Sequence, residues 1–155
     1  MVKAYTIVLV RTPVGYLLIN RRKPPYQGLW NGLGGKVEAG ETPAAGARRE
    51  VAEECGLQLS TVTACGLVHW YVDDVLTGEL YLFSGVSPDT PTFPQATREG
   101  ILAVFTQQWL TAAENQGLVP DLNAMLPLFW AGQPGEYTSH FAGEQFLGLQ
   151  AVPHD

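Results

Sequence analysis

Three glutamates share one short segment of the chain, and their spacing favours metal chemistry. Glu50, Glu53 and Glu54 lie in a segment that predicts a helix over 43–55, because capping and stop residues flank it on both sides. At about 100° per residue, the three carboxylates fall on one side of this helix. Clustered oxygens of this kind suit Mg²⁺ or Mn²⁺ bound together with substrate phosphates, whereas the alternative is a solvated acidic face.

A neighbouring stripe of the predicted helix is apolar and is expected to face the core; its members are Ala44, Ala47, Val51 and Cys55. The small alanines allow the helix to lie close to the glycine-rich segment that precedes it, residues 30–35. Glycines in that segment disfavour a helix and permit close backbone approach. A backbone carbonyl of Gly34 or Gly35 can then complete the coordination of a metal on the glutamates.

The rest of the chain intermixes strands with helices, which predicts an α/β (α+β) fold. Apolar, β-branched and aromatic runs predict strands at 5–10, 16–19, 65–72, 79–86 and 101–105, the first two as a hairpin. We expect further helices at 107–115 and 121–131, a turn at 73–78, a basic loop at 21–28 and a last hairpin around 142–144. No repeat or linker divides the chain, so we expect one domain over residues 1–155.

The composition limits the class of protein. The chain has 155 residues, of which 46% are hydrophobic, and this suffices for a packed core without disulfides. Nine Lys and Arg residues against 15 Asp and Glu residues give a net charge of -6, which argues against a nucleic-acid duplex as partner. A phosphate-bearing ligand therefore needs a metal ion or a local group of donors.

The cysteine content and the hydropathy pattern bear on the location of the protein. Cys55 and Cys65 are too few for a disulfide framework, and they predict a reducing compartment. No apolar run approaches the roughly 18 residues of a membrane span, and the first residues lack the pattern of a signal peptide. We therefore expect a cytoplasmic protein without a membrane partner, either a monomer or a homodimer.

Two common phosphate-binding motifs fail at particular positions. A Walker A loop that ends at 35–36 requires glycine at position 30 and Ser or Thr at position 37, where the chain has Trp30 and Val37. A dinucleotide-binding fingerprint that starts at Gly32 also requires glycine at position 37. Neither motif is present.

A longer pattern spans residues 35–57. Gly35 is followed after five residues by Glu41, and after seven more by the run Arg49-Glu50-Val51-Ala52-Glu53-Glu54-Cys55-Gly56-Leu57. This arrangement resembles the 23-residue Nudix box at every fixed position, so the chain is similar to the Nudix hydrolases. The resemblance implies their fold, a mixed β-sheet sandwiched between α-helices, with β-hairpins at the N- and C-terminal ends.

The same resemblance implies an activity and a set of site residues. The activity is hydrolysis of a nucleoside diphosphate linked to another moiety, with Mg²⁺ or Mn²⁺ as cofactor. The implied catalytic residues are Glu50, Glu53, Glu54 and Glu99, and the implied metal ligands are these four and Gly35. Glu41 and Arg49 are implied to hold the loop and the helix through a salt bridge behind the ligands. Glu99 precedes the strand 101–105, and the alternative for it is a surface acid.

Residues 28–38 resemble the run before the box in MutT-like enzymes that hydrolyse oxidised purine nucleoside triphosphates. In that group, an asparagine at the position of Asn31 holds the purine, and an acidic pair on a late helix reads its other edge. Here Asp121 supplies one acid, whereas Leu122 departs from the pattern and leaves the base preference open. A plain helix N-cap is the alternative for Asp121. Trp30 and Lys36 are further implied substrate-binding residues.

The leading hypothesis is a pyrophosphohydrolase that converts (deoxy)nucleoside triphosphates, first among them oxidised purines such as 8-oxo-dGTP, to the monophosphate and pyrophosphate. Two alternatives stay open: a Nudix hydrolase of ADP-ribose, nucleotide sugars or dinucleoside polyphosphates, and a noncatalytic nucleotide sensor. A group of aromatic residues is expected either to line a stacking pocket or to enter the core, namely Trp30, Trp70, Tyr71, Tyr81 and Phe83.

Overall fold

A nine-stranded mixed sheet runs through the molecule, and helices pack on both of its faces. The computed structural model of the chain describes residues 2–23, 26–89 and 92–153, so Pro24 and Pro25 of the predicted basic loop lie outside the described residues. The strands are β1 (Lys3–Thr12), β2 (Gly15–Arg21), β3 (Trp30–Asn31), β4 (Thr61–Val72), β5 (Val75–Val86), β6 (Gln95–Ala96), β7 (Gly100–Phe105), β8 (Gly135–Ala142) and β9 (Gln145–Ala151). The helices are α1 (Pro43–Cys55), α2 (Gln107–Leu110) and α3 (Pro120–Trp130).

The strand order is β6-β7-β2-β1-β5-β4-β8-β9, with β3 paired to β2. The pairs β1–β5 and β4–β8 are parallel, whereas β1–β2 and β8–β9 are antiparallel and form hairpins near the two ends of the chain. This arrangement confirms the predicted mixed sheet between helices.

Strand β1 lies at the centre and is covered on both faces, as its continuous apolar sequence requires. Its side chains alternate between two cores: Ile7 and Leu9 pack in the core that includes α3, whereas Val8 and Val10 pack in the core that includes α1. Burial on both faces holds the strand rigidly between the helices. The central strand can therefore support a site at the edge of α1.

Helix α1 begins and ends where the local signals predict. Thr42 is the N-cap, and its hydroxyl accepts a hydrogen bond from the Ala45 N–H at 3.1 Å, while Gly56 ends the helix with a φ of 72°. The buried stripe consists of Gly46, Ala47 and Val51, so the expectation that Ala44 faces the core is wrong. Gly46 takes its place on the buried face, where a Cβ would lie 2.9 Å from a carboxylate oxygen of Glu41.

Two predicted elements are shorter than expected. The turn predicted at 73–78 contains only Asp73 and Asp74, both with positive φ, because β5 already starts at Val75. The helix predicted at 107–115 ends at Leu110, because the Asn115 side-chain amide donates to the Trp109 carbonyl at 2.8 Å and replaces the next helical hydrogen bond.

The short strands β3 and β6 have no counterpart in the sequence prediction, because two residues carry no periodicity. Helix α3 lies within one residue of its predicted bounds at each end.

None of the helices in residues 2–23, 26–89 and 92–153 combines the length and apolar character that crossing a membrane demands.

Candidate active site

A cavity of about 680 Å³ opens between α1, the glycine-rich segment and the sheet. Its lining includes four of the predicted acids, Glu50, Glu53, Glu54 and Glu99. The first three come from one turn of α1, and Glu99 comes from the connection between β6 and β7. The sheet therefore brings a fourth carboxylate, distant in sequence, to the acidic side of α1.

Glu54 links α1 to the glycine-rich segment. Its Oε1 accepts a hydrogen bond from the Gly34 N–H at 2.9 Å. Burial raises the pKa of the Glu54 carboxyl to about 8, even though this hydrogen bond favours the ionised form. A positive charge bound at this position would stabilise the carboxylate.

Glu50 lies against Gly35, the first residue of the predicted box. A Cβ at Gly35 would lie only 2.7 Å from the carboxyl carbon of Glu50, so a larger residue would displace this carboxylate. The Gly35 carbonyl accepts a hydrogen bond from the Thr6 N–H at 2.8 Å and a longer one from the Thr6 hydroxyl at 3.4 Å. Burial raises the pKa of Glu50, while its hydrogen bond to Arg49 opposes that shift.

Arg49 is the hub of an ion-pair network beside these glutamates. It binds the Glu41 carboxylate with two donors, Nε at 2.9 Å and Nη2 at 3.0 Å, a geometry that only arginine provides. Its Nη1 also donates to Glu50 at 3.1 Å and to Glu53 at 3.2 Å. The hydrogen bonds from Arg49 lower the pKa of Glu41 to about 2. The predicted pair of Glu41 and Arg49 is thus in contact, and Arg49 also relieves the repulsion among the glutamates of α1.

The carboxylates suit a divalent cation in their chemistry, but the metal site is not preformed. Within the described ranges, no three His, Cys, Asp or Glu side chains converge closely enough to enclose an ion. Carboxylate and carbonyl oxygens are nevertheless the hard donors that Mg²⁺ and Mn²⁺ prefer. The absence of a Cβ at Gly35 also leaves space beside the Glu50 carboxylate. The donor set therefore fits a divalent cation in its chemistry.

The other part of the cavity is aromatic and less charged. Tyr5 and Trp70 pack edge to face with ring centroids 6.2 Å apart, and both line the cavity together with Tyr26. A Cβ at Gly78 would lie 3.0 Å from the Trp70 ring and 3.2 Å from the Tyr5 ring, so this glycine makes room for the pair. A flat heterocycle suits such a wall, because aromatic rings stack on or pack edge to face with one another.

Asn31 lies in the same cavity as these rings and the glutamates. Its Oδ1 accepts a hydrogen bond from the Gly32 N–H at 2.8 Å. The side-chain amino group is therefore the part that is available to donate to a ligand.

Three predicted substrate-binding residues do not belong to the described lining of this cavity. Trp30 packs edge to face on Phe105 with centroids 4.7 Å apart, and its backbone pairs with the segment before α3. Lys36 is exposed, and its carbonyl accepts a hydrogen bond from Arg49 at 3.1 Å. Asp121 is only 8% exposed and lies in the first turn of α3.

Asp121 is not the N-cap of α3, contrary to one of the two predictions for it. The N-cap is Val119, because Pro120 occupies the first helical position, and the apolar Val119 side chain makes no capping hydrogen bond. The backbone N–H groups of Asp121 itself and of Leu122, in the first turn, instead act to lower the pKa of the Asp121 carboxyl. Burial nevertheless raises the pKa of Asp121 to about 6, and its charge contributes to the raised pKa of Tyr26 in the cavity wall.

Most of the remaining predicted aromatic residues enter other surroundings. Tyr71 stacks on His140 at 5.2 Å, Tyr81 donates a hydrogen bond to Glu79 at 3.3 Å, and Phe83 is buried in the core beneath α1. Strand alternation directs them away from the cavity, whereas Trp70 reaches it.

Residues 2–129 match the family model of the NUDIX domain. The chain belongs to the Nudix family. This confirms the resemblance found in residues 35–57, and the match extends well beyond the box to most of the chain.

Two curated relatives of this Nudix chain are named oxidized purine nucleoside triphosphate hydrolase. The protein from Mus musculus is 39% identical over 83 residues, and the protein from Danio rerio is 37% identical over 82 residues. The aligned part covers 53% and 52% of this chain, respectively. The Nudix chain spans about half the length of the curated relatives it matches, 53% in each case.

Solved structures confirm the fold of the Nudix chain. A MutT protein from Bacillus halodurans superimposes with a TM-score of 0.75 at 20% identity, covering 99% of this chain and 100% of that protein. A MutT protein from Methanosarcina mazei Go1 gives a TM-score of 0.65 at 19% identity, covering 83% and 93%. At such identities the likeness concerns the fold alone.

The sequence prediction missed several cavity residues of the Nudix chain, among them Tyr5, Thr6, Arg21, Tyr26 and Arg98. Arg98 adjoins Glu99, and that adjacency is the only local signal for it. Tyr26 has a φ of 64°, which is uncommon for a residue with a side chain but is not visible in the sequence. The others lie on strands whose neighbours are set by long-range pairing.

Proposed function

We propose that this Nudix chain is a metal-dependent pyrophosphohydrolase of nucleoside triphosphates, with oxidised purines such as 8-oxo-dGTP as preferred substrates. One observation carries the proposal: Asn31, an aromatic wall and four glutamates line a single cavity. These are the groups needed for a base, its stacking surface and a metal-bound phosphate chain. The names of the curated relatives support the same substrate class.

Glu50, Glu53 and Glu54 would hold the cation, with the Gly35 carbonyl and Glu99 as additional oxygen donors. When bound, Mg²⁺ or Mn²⁺ would neutralise phosphate oxygens and lower the pKa of a bound water. Arg49 holds Glu50 and Glu53 in position through its Nη1 hydrogen bonds. A carboxylate oxygen of Glu99, which is exposed at the cavity, would accept the proton of the attacking water.

Recognition of the base would fall to Asn31 and Asp121. The Asn31 amino group is available to donate to the purine. Asp121 is 8% exposed and lies outside the described lining of the cavity, but its charge raises the pKa of Tyr26 in that lining, and it would read the other edge of the base. Lys36 and Trp30 would support the segment around Asn31. Leu122 is fully buried and offers no hydrogen bond, so base discrimination would rest on one acid.

A substrate panel tests the proposal against its rivals. The wild-type chain would be incubated with Mg²⁺ or Mn²⁺ and normal or oxidised nucleoside triphosphates, ADP-ribose, a nucleotide sugar and a dinucleoside polyphosphate. We expect the highest kcat/KM with an oxidised purine triphosphate, release of pyrophosphate rather than orthophosphate, and loss of turnover with a chelator. Preference for a nucleotide sugar or ADP-ribose would favour the second enzyme hypothesis, and binding without turnover would favour a sensor. A cytoplasmic location and a monomeric or homodimeric state stay predictions.

A further inference from the structure

The connection between β6 and β7 is a tight turn, residues 97–100, that presents two opposite charges to the cavity. Arg98 and Glu99 are adjacent in this turn, and both line the cavity. The Thr97 N–H and hydroxyl both donate to the Gly100 carbonyl, at 2.7 Å and 2.9 Å. The Thr97 hydroxyl oxygen also accepts from the Glu99 N–H at 3.2 Å. The turn is therefore closed by its own hydrogen bonds.

The turn is also anchored to the end of β2. The Arg22 N–H donates to the Glu99 carbonyl at 3.1 Å, and its guanidinium reaches the Arg98 carbonyl at 3.5 Å. A Cβ at Gly100 would lie 1.9 Å from the Asn20 carbonyl oxygen, so only glycine allows this approach. The backbone of Arg98 thus has a defined position relative to the cavity.

The Arg98 side chain is exposed, and its guanidinium makes no hydrogen bond or ion pair with any residue in the described ranges. It stays unpaired although Glu99 and Glu54 line the same cavity. The chain has only nine Lys and Arg residues and a net charge of -6, so positively charged side chains are few. One of them lies beside acids in this cavity without pairing with a described residue. An anionic ligand group in the cavity would meet it directly.

The strand order separates Arg98 from Trp70, whereas Tyr5, the other ring of the edge-to-face pair, lies on β1, two strands from β7. Trp70 lies on β4, followed across the sheet by β5, β1, β2 and β7, which carries the turn. Neighbouring strands lie about 4.8 Å apart, so four spacings amount to roughly 19 Å. The glutamates of α1 line the same cavity as both features. A nucleotide with its base on Trp70 would therefore extend its phosphates past the glutamates toward Arg98.

We propose that Arg98 binds the terminal phosphate of a nucleoside triphosphate and selects triphosphates over diphosphates. This rests on the proposed function, since it assumes that the base and the scissile phosphates occupy the same cavity. Guanidinium and phosphate form paired, charge-assisted hydrogen bonds, so the contact is strong only where a phosphate reaches the turn. A diphosphate, one group shorter, leaves Arg98 without its partner.

The test compares Arg98→Ala and Arg98→Lys with the wild type on 8-oxo-dGTP and 8-oxo-dGDP in Mg²⁺ buffer. Arg11→Ala is the matched control, because Arg11 is an exposed arginine that is not part of the cavity lining. For Arg98→Ala we expect kcat/KM to fall roughly 10–100-fold with the triphosphate and less than about threefold with the diphosphate. Arg98→Lys, which keeps the charge without the paired donors, is expected to fall between the alanine variant and the wild type.

A binding measurement separates this inference from the proposed function. Calorimetry of inorganic pyrophosphate with the same variants should show affinity at least tenfold weaker for Arg98→Ala, with Arg11→Ala unchanged. Equal losses on triphosphate and diphosphate, or kinetics of Arg98→Ala that match those of Arg11→Ala, would overturn the role of Arg98 and leave the pyrophosphohydrolase proposal intact. A wild type that hydrolyses no nucleotide would refute the proposed function, and pyrophosphate affinity would then decide alone whether Arg98 is an anion site.

Discussion

The carboxylate of Glu54 accepts a hydrogen bond from the Gly34 N–H at 2.9 Å, joining α1 to the glycine-rich segment that precedes it. The contact connects residues 20 positions apart, and it lies where the predicted metal ligands of α1 meet the glycine-rich segment. Because Glu54 is largely withdrawn from water, its charge is costly without a cation. The bond therefore couples the position of the glycine-rich segment to the protonation state of the Glu54 carboxyl.

Replacement of Glu54 by Gln is expected to abolish turnover while preserving the fold. Glutamine can still accept from Gly34 but carries no charge, so kcat should fall by two or more orders of magnitude. Thermal stability should be unchanged or higher, because a buried charge is removed. Steady-state kinetics across a Mg²⁺ titration, with Glu114→Gln as an exposed control, measures this. A Glu54→Gln protein with near-normal kcat at limiting Mg²⁺ would contradict the assignment.

Glu99→Gln tests the acid delivered by the β6–β7 turn. The turn is held by backbone and Thr97 hydrogen bonds, so the substitution should leave it in place. We expect kcat to fall roughly 10–10³-fold with little change in KM, because the loss concerns the transition state. The same assay at saturating metal measures it. An unchanged kcat would make Glu99 a surface acid and assign the base to Glu50.

Gly35→Ala should impair catalysis without unfolding the chain. The new methyl group would lie 2.7–2.9 Å from the Glu50 carboxyl atoms and displace them. A displacement of about 1 Å can cost roughly 10²-fold in rate, and we expect a loss of that order in kcat/KM. Gly148→Ala is the matched control, since a Cβ there meets no atom within 4 Å. Similar kinetics for the two variants would show that Glu50 does not need its present position.

Asp121→Asn tests base recognition. If Asp121 reads the base, kcat/KM for 8-oxo-dGTP should drop at least tenfold, because a charged hydrogen bond contributes about 1.5–3 kcal/mol. Thermal stability should not decrease, because asparagine keeps an acceptor for the helix N–H groups and removes a buried charge. Assays on purine and pyrimidine triphosphates provide the comparison. Equal losses on both would remove Asp121 from base selection.

The same substitution predicts a change in the pH dependence of unfolding. Since burial raises the pKa of Asp121 to about 6, the folded chain retains a proton that the unfolded chain releases near pH 4. The contribution of Asp121 to stability is therefore full below about pH 4 and is lost as the pH rises through 6. Urea unfolding should show that the stability of Asp121→Asn relative to wild type rises by about 2 kcal/mol between pH 4 and pH 7. A constant difference would contradict the shift.

The sequence alone determined helix α1, its caps and the side on which Glu50, Glu53 and Glu54 gather. These features depend on neighbours within one or two helical turns, where residue type and a period of 3.6 carry most of the information. Strand β1 was likewise predicted from the apolar run at 5–10, and the family was predicted from the spacings inside residues 35–57.

The tertiary structure alone decided which distant groups share the cavity. Pairing of β2 with β7 brings Arg98 and Glu99 to the glutamates of α1, and parallel pairing of β1 with β5 sets Tyr5 near Trp70. Trp30, by contrast, packs against Phe105, although its neighbour Asn31 enters the cavity. Successive strand residues point to opposite faces, and strand neighbours are chosen by packing of the whole sheet. Local composition does not carry that information, because the partners lie tens of residues apart.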